Sequence, residues 1–294
     1  MPPVLIESVP NFSEGRRPEV CGKFEAEVRA AGARFLDLQK DADHNRCVVT
    51  FVGTPETVGA AAFACARKAV ELIDLTRHEG AHPRMGAIDV LPFVPLEGAA
   101  MGDCVRLARE TGRRIGDELG VPVYLYEAAA TRPERRNLAE IRRPQFEGLR
   151  DLIGKDPGRA PDFGPARIHP TAGCVAVGAR MPLIAYNVDL DSKDLALAKR
   201  IAKAIRERDG GLPGIKALGL WIEDRQCAQV SINVCDHSRT GLLAVFRAVE
   251  REAGGAVRSS EVVGLVPRAA LPPDAERALK LAGFRPDQVL ESRL

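Results

Sequence analysis

Residues 78–82 read His78-Glu79-Gly80-Ala81-His82, with Arg77 before them and Pro83-Arg84 after. Taken literally this is H-E-x-x-H, in which a helix turns two imidazoles to one side to hold zinc while the glutamate serves as base. The neighbouring residues oppose a helix. Gly80 costs about 1 kcal/mol relative to alanine in a helix interior, and Pro83 pushes His82 out of the α region. Where the longer zinc-protease pattern continues with glycine and histidine, the chain has Met85 and Ile88. A zinc-dependent hydrolase built on His78, Glu79 and His82 is therefore the alternative reading. The leading one is a loop at residues 76–86 that gathers histidines and arginines at the end of a strand. Its chemistry would be proton transfer by an imidazole beside an anionic substrate held by guanidinium groups.

The elements that must position this loop alternate along the chain. Residues 4–9 form a short apolar run closed by Pro10, and 18–31 have helical composition with Gly32 as the stop. Strands are predicted over 34–39 and 47–53. Thr54 and Pro55 read as the cap and first residue of a helix running through 60–73. A strand at 88–94, a helix at 101–119 ended by Gly120, and a strand at 121–126 follow. The second half predicts a strand over 183–190 and a helix opening at 191–194 and running through Arg208. It continues with a hairpin of 215–222 and 227–234, a helix over 239–253, a strand over 261–266 and a helix over 273–282.

Each half thus reads β-α-β-β-α-β, the order of a ferredoxin-like unit, and the first adds one more α-β. The expected class is α+β: two ferredoxin-like subdomains, 1–178 and 179–294, with the open faces of their sheets turned toward each other across a ligand cleft. Within 227–235, Ala228, Val230, Ile232 and Val234 share one face, while Gln229, Ser231 and Asn233 share the other, for a wet cleft or for solvent. The connector 128–170 is rich in arginine and proline. Its stretch 131–170 holds nine Lys/Arg against six Asp/Glu, the near balance of a solvated linker. Its length within a compact protein, and the run Pro161-Asp162-Phe163-Gly164-Pro165, point instead to a shaped and functional loop.

Composition bounds the rest. The chain has 294 residues, 45% apolar and 28% charged, which excludes disorder, collagen and a disulfide-stapled miniprotein. Lys+Arg 42 against Asp+Glu 40 leaves +2, without the basic surplus of a nucleic-acid binder. Seven cysteines with no C-x-x-C pair argue against a disulfide framework or a Cys-rich zinc site, and are expected to be small buried hydrophobes in a reducing cytoplasm. Met1-Pro2-Pro3-Val4-Leu5-Ile6-Glu7 lacks the basic start and long apolar stretch of a signal peptide. No window reaches the roughly 18 apolar residues of a membrane span, so the sequon Asn11-Phe12-Ser13 is not expected to be glycosylated.

At the histidine loop the sequence resembles the glutamate formimidoyltransferases. His78-Glu79-Gly80-Ala81-His82-Pro83-Arg84-Met85-Gly86-Ala87 is similar to that family's H-x-G-x-H-P-R-M-G-A signature. Further blocks follow in order: Val9-Pro10-Asn11-Phe12-Ser13-Glu14-Gly15, Asn45-Arg46, Thr50-Phe51-Val52-Gly53, and Val121-Pro122-Val123-Tyr124-Leu125-Tyr126. The second half adds Gly178-Ala179-Arg180, Ala228-Gln229-Val230-Ser231 and Val263-Gly264-Leu265-Val266-Pro267. The resemblance implies a folate tunnel between two ferredoxin-like subdomains, a homodimer, and a place in one-carbon and histidine metabolism. It implies transfer of a formimidoyl group between N5 of tetrahydrofolate, the co-substrate, and the amino group of L-glutamate, with L-glutamate or N-formimidoyl-L-glutamate as the other substrate. No metal or nucleotide cofactor is implied. The cyclodeaminase domain fused to some relatives has no room here. A 5-formyltetrahydrofolate:glutamate formyltransferase is the nearest alternative, and a non-catalytic folate carrier a further one.

The implied chemistry needs one proton carrier. A protonated glutamate amine must lose a proton before it attacks, and the folate nitrogen must gain one before it leaves. A histidine titrating near neutrality can do both, and the family's catalytic histidine matches His82. Arg84, Arg46 and Arg77 are the candidate clamps for substrate carboxylates, including those of a polyglutamylated folate. The family's folate-binding segment matches Gly164, Pro165, Ala166, Arg167, Ile168, His169, Pro170, Thr171, Ala172 and Gly173, with Asn187 on the next strand. Two departures stand out. The family carries an acid two residues after the position of Asp37, where this chain has Gln39, so Asp37, Asp41 or Asp43 must steady the histidine in its place. Arg167 and His169 stand where relatives have uncharged residues.

Overall fold

Pro10 has no N–H to give a ladder, and it splits the first strand in two. The computed structural model describes residues 4–294; Met1, Pro2 and Pro3, on which part of the signal-peptide reading rests, lie outside the described residues. In the first unit, ending at Arg180, the elements are β1 (Ile6–Ser8), β2 (Asn11–Phe12), α1 (Pro18–Ala30), β3 (Arg34–Asp41), β4 (Arg46–Gly53), α2 (Pro55–Leu72), β5 (Ile88–Pro95), α3 (Met101–Leu119), β6 (Val123–Glu127), α4 (Leu138–Arg142), α5 (Gln145–Leu152) and β7 (Val175–Ala179). Both β1 and β2 pair antiparallel with β4 on one side and β5 on the other, so they fill one place in the sheet. β3 flanks β4, while β7 and then β6 extend the β5 side in parallel.

Local chemistry sets the ends of these elements. The Thr54 side chain accepts from the Thr57 N–H, and Pro55 opens α2. α3 stops at Gly120, whose φ of 66° lies in the left-handed region. The three long helices pack one face of the sheet: Phe24 and Val28 of α1, Ala62 and Ala66 of α2, and Ile115 of α3 close on Phe51, Leu91 and Phe93. Phe12 stacks on Phe24 with centroids 3.9 Å apart. Burying one such ring fully contributes about 1.5–3 kcal/mol.

The connector after β6 is folded into this unit. Ile141 of α4 and Leu149 of α5 pack with Val90, Tyr124, Tyr126 and Ala176 from the strands, covering the other face of the sheet beside β5, β7 and β6. The chain then returns as β7, a strand that sequence reading missed because Val175-Ala176-Val177-Gly178-Ala179 is short and half small residues. A parallel partner needs a crossover of a dozen residues or more, and the connector supplies it.

The second unit runs from Met181 to Leu294. It comprises β8 (Ile184–Leu190), α6 (Leu195–Ile205), β9 (Ile215–Ile222), β10 (Cys227–Val234), α7 (Leu242–Glu252), β11 (Val257–Val263) and the single turn α8 (Ala275–Ala278). The sheet is antiparallel, in the order β11-β8-β10-β9. Ala228, Val230, Ile232 and Val234 are buried against α6 and α7, as their alternation predicts. Three expectations are corrected here. α6 ends at Ile205 because Arg206 turns extended. The last strand begins at Val257, not Glu261. The helix expected over 273–282 is one turn, bounded by Asp274 and Lys280 at positive φ. The class is α+β with two sheets. Six of the seven cysteines are buried, and all seven are unbridged.

Candidate active site

Between α2 and β5 the chain has no helical turn, so His78 and His82 do not share a helix face. The H-E-x-x-H reading loses its geometry for the reason the sequence suggested: a glycine inside the motif and a proline after it. The loop is nonetheless pinned. The Leu75 N–H donates to the Thr171 carbonyl (2.8 Å) and the Ala81 N–H to that of Asp43 (3.1 Å), while the Ser13 hydroxyl donates to the carbonyl of Gly86 (2.7 Å). A side chain at Gly80 would strike the His44 carbonyl, and one at Gly86 the Cys174 carbonyl, so both positions need the bare backbone. Asn45, at φ 49°, accepts from the Gly15 N–H and donates to the Glu79 carbonyl, joining the N-terminal segment to the loop.

The two histidines are held differently. His78 donates from Nε2 to the Asn45 carbonyl (2.9 Å) and accepts at Nδ1 from Arg84 Nε (3.3 Å), so both ring nitrogens are engaged. His82 has Arg46 Nη1 at 2.8 Å from Nε2. A guanidinium only donates, so Nε2 carries the lone pair and the proton sits on Nδ1, toward the Pro83 backbone. Burial, then the charges of Arg46, Arg142 and His44, pull the His82 pKa down to about 3. In this structure the imidazole is neutral at pH 7 and a weaker base than the near-neutral carrier expected from the sequence. The causes are burial first, and then a cationic corner drawn together from separate stretches of chain.

The arginines divide by partner. Arg84 is fully engaged, donating to both oxygens of Glu147 (2.9 and 2.7 Å) and to His78, and fastening the loop to α5. Arg77 is exposed, 3.7 Å from Asp74. Arg142 pairs with the buried Asp89 at 2.5 Å, and Asp89 also accepts from the Met85 N–H. Arg46 has no carboxylate in ion-pair contact among the described residues, and its Nε is buried without a partner. Burial, with Arg142 close by, lowers its pKa from the usual arginine value. A cleft of about 570 Å³ borders His78, Arg77, Arg84, Phe146 and Glu147; His82 does not line it.

This site sits in a chain whose relatives are clear. Residues 5–180 match the family model of the formiminotransferase domain, N-terminal subdomain, and residues 185–279 that of the formiminotransferase domain. The chain belongs to the formiminotransferase family. It is 45% identical to a glutamate formimidoyltransferase of Streptococcus pyogenes serotype M1, covering 99% of this chain and 98% of that one. It is 43% identical to a glutamate formimidoyltransferase of Thermoplasma acidophilum over 99% and 97%. A formimidoyltransferase-cyclodeaminase of Sus scrofa is 43% identical over 91% of this chain and 51% of its own length.

Residues of the formiminotransferase chain singled out for folate lie in two places. In the first unit, residues 169–173 close a tight turn: the His169 and Gly173 amides donate to each other's carbonyls (3.2 and 3.1 Å), and His169 Nδ1 accepts from the Ala172 N–H (3.0 Å). The Ala87 N–H donates to the Ala172 carbonyl (2.9 Å), which sets this turn beside the histidine loop. The residues Gly164, Ala166, Arg167 and Pro170 are exposed. Asn187 belongs to the second unit, where its amide donates to Glu261 (3.0 Å).

Among the described residues no carboxylate takes the place of the acid missing at Gln39 beside His82. Gln39 donates to Asp37 (3.1 Å), and Asp41 grips His44 through the ring (2.6 Å) and the backbone N–H (2.8 Å). His44 stands edge-on to His82 with centroids 6.2 Å apart. Sequence reasoning did not single out His44 or Asp89, although they lie two residues before Arg46 and two residues after Ala87, beside recognised blocks; Arg142 was counted only among the arginines of the connector.

Proposed function

We propose that this protein moves a formimidoyl group between N5 of tetrahydrofolate and the amino group of L-glutamate, with His82 carrying the proton. The observation that carries this reading is chain-long identity of 45% and 43% with two glutamate formimidoyltransferases. Folate supplies the one-carbon unit on its N5. The protein's own residues supply the proton traffic and the grip. His82, neutral in this structure, accepts a proton from the substrate ammonium and returns it to the departing nitrogen. Arg46, with donors free of any carboxylate, is the foremost clamp for a substrate carboxylate, ahead of Arg84, whose donors Glu147 occupies, and of the exposed Arg77. The turn at 169–173 fits a flat ring by its close backbone approach, and Arg167 stands exposed for a folate carboxylate.

The reading extends to a polyglutamylated folate, a cytoplasmic homodimer, and subdomains meeting near residue 178. Unbridged cysteines support the reducing compartment. No helix among the described residues is long and apolar enough to cross a membrane. A net charge of +2 supports small anions over nucleic acid as partners, and both loop histidines, already engaged, support a reaction without metal. The test is a mass-resolved transfer assay with isotopically labelled L-glutamate and either 5-formimidoyl- or 5-formyltetrahydrofolate. Labelled formimidoyl-glutamate is the expected product. Labelled formyl-glutamate alone would move the protein to formyl transfer, and no labelled product would end the reading.

A further inference from the structure

Arg46 contacts the one atom of His82 that a base must use. Its Nη1 donates to Nε2 at 2.8 Å, and a lone pair already filled by a donor cannot take a proton. The other ring nitrogen faces the Pro83 backbone. A half-buried guanidinium whose Nε lacks any partner, and which meets no carboxylate among the described residues, is also primed to change partner. We propose that Arg46 is a latch on His82, opened when a carboxylate of the incoming amino acid draws the guanidinium off Nε2. The inference rests on the transfer reading above and deepens it: the clamp and the latch are one side chain.

Other charges around His82 are already matched. From the β3–β4 turn come His44 and the Asp41 that holds it; from α4 comes Arg142, paired with Asp89 of β5; from its own loop comes Arg84, paired with Glu147. Arg46 is the charge left to answer a substrate anion. Once it turns, the proton leaves the substrate ammonium for Nε2 and the amine lone pair is free to attack. An amine without a carboxylate would meet a closed base, so selection acts on kcat more than on KM.

The test follows the His82 ring nitrogens by NMR of ¹⁵N-histidine-labelled protein across pH. The probes are no ligand, L-glutamate and butylamine. L-Glutamate is expected to raise the titration of His82 by about 1–3 units, the scale of a neutralised neighbouring charge, and butylamine to leave it in place. Arg46→Met should raise it without ligand and abolish the response to glutamate. A wild-type protein that transfers the group while its His82 ignores glutamate overturns the latch alone, with no variant required. So does an Arg46→Met protein that titrates like wild type. Absence of transfer by the wild type with every donor overturns the reading beneath it.

Discussion

On the second sheet, Arg225 donates to Asp189 at 2.9 Å and to both oxygens of Glu261 at 3.0 and 2.9 Å. Gln229 completes Asp189 (2.8 Å) and Asn187 completes Glu261 (3.0 Å). Every charge there has its opposite, and the pairing, to Glu261 first and then Asp189, raises the Arg225 pKa above its usual value. Around His82 the same side-chain types are left unequal: Arg142 and Arg84 have acids, Arg46 has an imidazole, and among the described residues His82 has no acid. A closed network rigidifies a surface, whereas an open one holds donors that a substrate can recruit. The difference separates a closed scaffold network from the open charges beside His82 without reference to any pocket.

The comparison can be broken in order of expected effect. His82→Ala should lower kcat by at least ~10²-fold in the transfer assay, and His78→Ala by less, because His78 acts through Asn45 and Arg84. Near-wild-type turnover in the first, or the reverse order, would place the chemistry elsewhere. Asp89→Ala strips Arg142 of its acid and should cost about 2 kcal/mol in urea unfolding; an unchanged midpoint would mean that Arg142 is not held there. Arg225→Ala leaves the buried Asp189, still held by Gln229, and the half-buried Glu261, a loss of about 1 kcal/mol, and a larger loss than for Asp89→Ala would invert the contrast. The pH response is the subtlest. His82 folds with its pKa drawn down to about 3 from an ordinary 6.5. Above about pH 6.5 it is neutral in both states and adds nothing; as pH falls from there toward 3 the unfolded chain alone takes the proton and stability drops. Unfolding midpoints between pH 7 and 5 should fall more steeply for wild type than for His82→Ala, and equal slopes would contradict the depressed pKa.

Much of the architecture was readable from local pattern. The hairpin 215–222 and 227–234, the helix 101–119 and the inward face of β10 follow from period-two and period-3.6 spacing. β7 escaped because its run is short and poor in branched residues, and because its place is set by a parallel crossover that leaves no local mark. The connector's cations and acids nearly balance as in a solvated linker, and only its length and the run Pro161–Pro165 point to a shaped loop. Its apolar Ile141 and Leu149 are too widely spaced to announce a cap over Tyr124 and Tyr126, and Phe146 joins the larger helix-side core instead. His82 stood out by motif, and so did Arg46. The acid expected to steady the histidine did not appear, because Asp41 turns to His44 instead.

By itself the sequence determined what neighbouring residues can enforce: a cap from Thr54 and Pro55, a non-helical loop from Gly80 and Pro83, and strands from alternating burial. Tertiary structure decided which charges meet. Arg46 and His82 lie 36 residues apart, and Arg84 and Glu147 lie 63 apart. A guanidinium can satisfy any acceptor within reach, so its partner is chosen by how the backbone packs, and with it whether an arginine braces the loop or waits for a substrate.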